Sequence, residues 1–271
     1  MKYVYSLVAV CVLLVGSAAL AGTYFQDGIT ADQCAGWATQ VVTYAPEAPA
    51  ALPWIDSSKA LGAATGDHTD ICSLGDGGYI VLGFDTAIAN GSGADFAVFE
   101  NGFYYSPGAL FAELAFVDVS TDGNNWARLP SVSLTSAPVG SFGTIDPTDI
   151  YNLAGRHPNA YGTSEATPFD LDDLVSAAEV LSGLVDLNEI NYVCLTDVIG
   201  DGSAFDSLGN PIYDPYSTPF ESGGFDLEAV GVLNQQAGEV VPEPMAAILF
   251  GTGLAIIGAV RSRRRMLTAR T

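Results

Sequence analysis

Short apolar runs broken by turn-forming residues set the pattern of this chain. ATQVVTYAP, GYIVLGFD, ADFAVFE, ELAFVDVS and NNWARLP follow one another, and INYVCLTDV and FDLEAVGVLN come later. Each is rich in Val, Ile, Phe and Tyr, with Gly, Asn, Asp or Pro at its ends, which predicts seven strands. Thr121-Asp122-Gly123-Asn124 lies between two of them, and Asp-Gly predicts a hairpin because both positions tolerate positive φ. One helix is predicted from Leu171 to Leu181, with Leu171, Leu174, Val175 and Ala178 on one face and Asp170 as N-cap. Strands in series with a single short helical insertion predict an all-β fold, a β-sandwich.

The two ends differ from this body. Residues 1–21 carry one early charge, Lys2, then an apolar stretch and small residues ending Ala19-Leu20-Ala21, the pattern of a secretory signal peptide cut after Ala21. The other end reads Pro242-Glu243-Pro244, an apolar run over 245–260, and then Arg261, Arg263, Arg264 and Arg265. Sixteen helical residues reach about 24 Å, enough to span a bilayer that thins locally. The arginines would stay on the cytoplasmic side. A body of 22–238 is left between the signal and a sorting segment of 239–265, room for one all-β domain with a sizeable core.

This order of parts resembles the carboxy-terminal sorting signal of the PEP-CTERM family. The resemblance implies an exosortase-type processing enzyme as partner, a transient stay in the inner membrane of a Gram-negative bacterium, and final release to the cell surface or the extracellular polysaccharide matrix. In the body, V-x-V-S-x-D-G-x-x-W, from Val117 to Trp126, resembles the hairpin of galactose-binding-like jelly rolls, the fold of discoidin domains and many carbohydrate-binding modules. FDLEAVGVL is similar to the closing strand of such domains. The whole body also resembles bacterial surface proteins carrying GADFAVFENGF, GSFGTIDPTDIYNLAG and TPFESGGFDLEAVGV, a likeness that brings little chemistry with it. The expected architecture is therefore a jelly-roll-like β-sandwich.

Charge narrows the partners. The chain has 31 acidic and 9 basic side chains, for a net charge of −22. Setting aside Lys2, Glu243 and the five arginines beyond residue 260 leaves −27 on the rest of the chain, nearly all of it in the body. Such a surface repels nucleic acid and anionic lipid. Solvation in salt would account for the acidity, and so would divalent cations.

Enzyme signatures are missing: no G-x-S-x-G, H-E-x-x-H, Cys-x-x-Cys or phosphate loop occurs, and the histidines are His68 and His157. His157, in the polar stretch GRHPNAYG, reads as a surface residue rather than a base. No pair of carboxylates stands out as that of a polysaccharide hydrolase or lyase.

Two stretches carry candidate binding chemistry. From Asp197 to Asp214 a glycine-containing loop holds Asp197, Asp201, Asp206, Asn210 and Asp214, oxygen ligands of the kind calcium takes, though not at EF-hand spacing. Glu100 and Asn101 end a strand just before Phe103, Tyr104 and Tyr105, where a sugar could stack on rings and meet polar side chains. Consecutive residues of a strand face opposite ways, so at least one of these rings is expected to face outward. Beyond the signal peptide lie Cys34, Cys72 and Cys194. In an oxidising compartment three pairings are open. Cys194 sits in an apolar strand as a buried thiol, which favours a Cys34–Cys72 disulfide. The chain thus reads as a secreted glycan-binding module with calcium in a structural role. A structural matrix component with no small ligand is the main alternative, and an enzyme acting on matrix polysaccharide comes third.

Overall fold

A computed structural model describes Tyr24 and residues 26–161 and 164–236. The signal peptide and the sorting segment with its apolar run lie outside the described residues. Among the described residues no helix is long and apolar enough to cross a membrane.

Sixteen strands are described. In chain order they are β1 (Gly36–Trp37), β2 (Gln40–Ala45), β3 (Cys72–Ser73), β4 (Tyr79–Ile88), β5 (Phe96–Glu100), β6 (Phe103–Ser106), β7 (Ala109–Phe111) and β8 (Ala115–Ser120). Then follow β9 (Ala127–Arg128), β10 (Val132–Ser133), β11 (Ile150–Tyr151), β12 (Thr167–Phe169), β13 (Ile190–Asp197), β14 (Asp201–Phe205), β15 (Pro211–Tyr213) and β16 (Asp226–Val232). All seven predicted strands are present, as β2, β4, β5, β8, β9, β13 and β16. The other nine strands, of two to five residues, do not stand out from a period of two.

Two five-stranded antiparallel sheets dominate. One runs β2-β4-β13-β8-β9, the other β1-β16-β5-β12 with β3 also paired to β16. Ile80, Leu82, Val117, Val193 and Leu195 of the first share one core with Phe96, Val98, Leu227 and Val230 of the second, so the sheets pack face to face as a sandwich. Burial alternates along β8 and β13, whereas β5 and β16 are buried throughout. The reason is a second layer: Ile29, Ala31, Cys34 and Trp37 pack on Ala97, Phe99 and Ala229, the outer face of the second sheet. A third cluster, including Leu110, Leu114, Ile150 and Ile212, fills the space beneath the loops and small hairpins.

The hairpin at Thr121-Asp122-Gly123-Asn124 joins β8 to β9 as predicted. Gly123 takes φ +74°, and Asp122 accepts the backbone N–H groups of Asn124 and Asn125, each at 2.8 Å. The predicted helix is corrected. Asp170 does cap, accepting the Asp172 N–H at 2.9 Å, but Leu171–Leu174 is a 3₁₀ turn, Ala177 is extended, and a separate α-helix covers only Ala178–Leu181. On a 3₁₀ turn residues three apart eclipse, so one turn buries both Leu171 and Leu174. Val175 and Leu181 then face solvent, and only Ala177 and Val180 of the following stretch pack against the core.

The expected disulfide is also corrected: Cys34, Cys72 and Cys194 are free thiols. Cys72 pairs with Leu227, while Cys34 places its sulfur against Gly231, four residues further along β16. Four strand residues span roughly 13 Å, well beyond what a disulfide can bridge. Cys194 is half-buried on the outer face of β13 beside Asp118 and Arg128, not in the core.

Candidate functional site

The strand end read from the sequence is a real convergence. β5 ends at Glu100, two residues turn, and β6 starts at Phe103. The turn is closed by Glu100 Oε2, which accepts the Gly102 N–H at 2.8 Å. A Cβ at Gly102 would lie 2.7 Å from that same oxygen and 3.0 Å from the Phe111 carbonyl, so only glycine lets the two strands approach this closely. Glu100, Asn101, Phe103 and Tyr105 then line one cavity of about 260 Å³.

Tyr104 does not join them. It lies on the opposite face of β6, beside Arg156 and His157 in a separate cavity of about 390 Å³. This is the alternation that the three consecutive aromatics required.

Distant segments complete the first cavity. Phe111 and Tyr161 stack and edge against Phe103, at ring-centroid separations of 5.2 and 5.3 Å, and Phe142 and Phe220 form a second pair at 6.0 Å. Tyr161 holds φ +53°, the left-handed region that a bulky residue seldom adopts, and its ring is 69% exposed at the mouth. Beneath the rings lie Glu100, Glu113 and Asp226, which are 2%, 4% and 6% exposed.

Each of these carboxyls has a local donor. The Gly224 N–H reaches Glu113 Oε1 at 2.9 Å, and the Ser73 hydroxyl donates to Asp226 Oδ1. Asn101 binds Asp226 through its side chain, while its own Oδ1 is buried without a partner. Burial first, and then the neighbouring carboxylates, push Glu100 and Glu113 well above the usual carboxylate range. Burial raises Asp226 to about 8, against the pull of Ser73 and Asn101.

Glu113 and Asp226 were not singled out in the sequence. A signal was present: each is an acid inside an apolar run, FAELAF and FDLEAVGV.

The acidic loop from Asp197 to Asp214 is divided by the structure. Asp197 ends β13 and bonds the Gly77 and Phe225 N–H groups at 2.8 and 2.7 Å, with burial pushing its carboxyl up to about 7. Asp214 accepts the Leu114 N–H at 2.9 Å, and burial raises it well above the normal range. Asp201 is exposed at the start of the β14–β15 hairpin, capping the Ser203 N–H at 2.8 Å. Asp206 and Asn210 sit at the hairpin's other end, about 13 Å of strand away.

Four donors occupy Asp206: the Leu208 and Asn210 N–H groups at Oδ1, and the Ser133 N–H and the Asn210 side-chain amide at Oδ2. Donors aimed at both oxygens leave no lone pair directed to a cation. Among the described residues no group of three or more His, Cys, Asp or Glu is arranged to hold a metal ion. The five loop residues as placed therefore do not fit one calcium centre.

His157 is corrected from surface to interior. It is 6% exposed, its Nε2 lies 2.9 Å from the Gln26 carbonyl, and burial lowers it to about 4, so the ring is neutral. Arg156 beside it is 2% exposed and spends its donors on the carbonyls of Pro147 and Tyr24 and the side chain of Gln26. Together they anchor the N-terminal segment. Their polar stretch looked exposed because its partners lie about 130 residues away.

No protein-family model matches the chain, and no curated protein matches it in sequence. The molecule is a β-sandwich with a cleft of aromatic walls and a carboxyl floor.

Proposed function

We propose that the protein is a secreted binding module of the cell surface or extracellular polysaccharide matrix, and that its ligand is a glycan held in the cleft of Phe103, Tyr105 and Tyr161. The observation that carries this reading is the joining of exposed rings to buried carboxyl and amide groups in one cavity of about 260 Å³. Sugars present apolar C–H faces to rings and hydroxyls to polar side chains, and pockets with apolar walls and a few fixed polar groups are the usual form of small-ligand sites. The jelly-roll form of the sandwich belongs to this proposal, on the likeness of the Val117–Trp126 hairpin. A glycan array probed with the wild type and with Tyr105→Ala tests it; a pattern of bound glycans unchanged by the substitution would place binding elsewhere.

Delivery follows from the two ends. The signal peptide sends the chain across the inner membrane, the apolar run over 245–260 holds it there, and an exosortase-type enzyme processes it at Pro242-Glu243-Pro244. Replacing these three residues is expected to leave the unprocessed form in the membrane fraction.

A second reading is a matrix component whose acidic surface is hydrated and bridged by divalent cations. It is favoured by the strongly negative charge of the body and by an acidic loop that does not gather into one metal centre. Glu100, Glu113 and Asp226 also keep open a hydrolase or lyase acting on matrix polysaccharide, and product analysis on the glycans bound by the array decides that.

A further inference from the structure

We infer that the group held in the cleft is a positively charged amine, so that among glycans the site takes an amino sugar with a free amino group over acetylated or neutral ones. This rests on the glycan reading and concerns only the chemistry of the bound sugar.

The floor consists of acceptors. Glu100, Glu113 and Asp226 converge beneath the rings, with no Lys, Arg or His among the described residues that line the cavity. Their donors within the protein are Gly102, Gly224 and Ser73, with the Asn101 side chain also on Asp226. Asn101, in the same lining, adds a buried Oδ1 with no hydrogen bonded to it. A hydroxyl brings one hydrogen along with lone pairs that would face these oxygens, whereas an ammonium brings three hydrogens and none. It also supplies the charge that buried carboxylates lack.

The walls agree with the floor. Phe103, Tyr105, Phe111 and Tyr161 surround the opening, and ring faces within about 6 Å attract a cation, more strongly when water is excluded. His68 stacks on Tyr161 at 4.8 Å, outside the lining. Burial disfavours the charged form of each of these carboxyls while no counter-charge is present. Asp197 and Asp214 share a neighbouring pocket with Glu113 and raise it further, a cost that an entering cation offsets.

The test is calorimetric titration of the full chain in detergent with glucosamine tetramer, its fully N-acetylated counterpart and a neutral glucose tetramer. Half-molar salt screens attraction to the acidic surface at large. The expected result is at least tenfold tighter binding of the glucosamine tetramer than of either other. Asp226→Asn should remove that preference, and Tyr105→Ala, at a ring 57% exposed and safe for folding, should weaken binding at least fivefold. Equal or tighter binding of the acetylated or neutral tetramer overturns the inference and leaves the glycan reading standing. Binding of the amino tetramer that Tyr105→Ala leaves unchanged also overturns it, as attraction to another surface. Failure of all three, with a blank array, overturns both readings.

Discussion

The side-chain amide of Asn210 donates to the carboxylate of Asp206 at 2.8 Å, so two residues of the acidic loop bind each other across a hairpin turn. Three backbone N–H groups complete the shell of Asp206, one of them from Ser133 in β10. The carboxylate ties the hairpin to the body of the sandwich. Asp206→Ala is therefore expected to cost about 2–4 kcal/mol, several charge-assisted bonds at a nearly buried position. The loss should be the same with and without added calcium, and calcium should raise the melting temperature no more than magnesium does. Thermal melts with each ion check this; a calcium-selective rise abolished by the substitution would restore a metal centre to the loop.

Asp197 and Asp226 predict an unusual pH dependence. Their folded-state values, about 7 and about 8, lie above an unfolded value of about 3.9, so the folded protein binds more protons than the unfolded chain between these limits. The contribution of these groups is complete below about pH 4 and is lost as pH rises through 7 to 8. Stability is expected to be higher at pH 5 than at pH 8.5, opposite in direction to a protein held by salt-bridged carboxylates. Urea denaturation at constant ionic strength across that range measures the slope, and a flat or rising profile would mean that these acids are not buried as described.

The three thiols should titrate as free but slow. Burial raises Cys34, Cys72 and Cys194 to about 11, leaving little thiolate at neutral pH. Reaction with an aromatic disulfide reagent is expected to be slow for the folded body and to release three equivalents on unfolding. One equivalent would show that a disulfide had formed after all.

Gly102→Ala should damage the cleft more than the fold. The new methyl must displace either Glu100 Oε2 or the Phe111 carbonyl, moving the floor of the cavity. A stability loss of about 1–3 kcal/mol, the range for overpacking a tight site, is expected together with loss of ligand binding. Tyr105→Ala, by contrast, should lose binding with a stability change under about 1 kcal/mol at its exposed ring. Comparing melts with binding isotherms for the two variants separates floor from wall.

The local pattern determined seven of the strands, the Asp-Gly hairpin, the Asp170 cap and the opposition of Tyr104 to Phe103 and Tyr105. All of these depend on neighbours within a few residues: a period of two, a turn that needs positive φ, a side chain reaching the next N–H group. Composition likewise set the all-β class and the acidic surface. Tertiary structure alone decided what the acids do, because an isolated acid in sequence carries no sign of its partner. Asp214 meets Leu114, Glu113 meets Gly224 and Arg156 meets Gln26, pairs 100, 111 and 130 residues apart. It also decided that Cys34 and Cys72 lie along the same strand without meeting, since burial says that a thiol is inside but not which point of β16 it faces. Burial and hydrogen bonding at such separations follow from how two sheets close on one another, and that closure is a property of the whole chain.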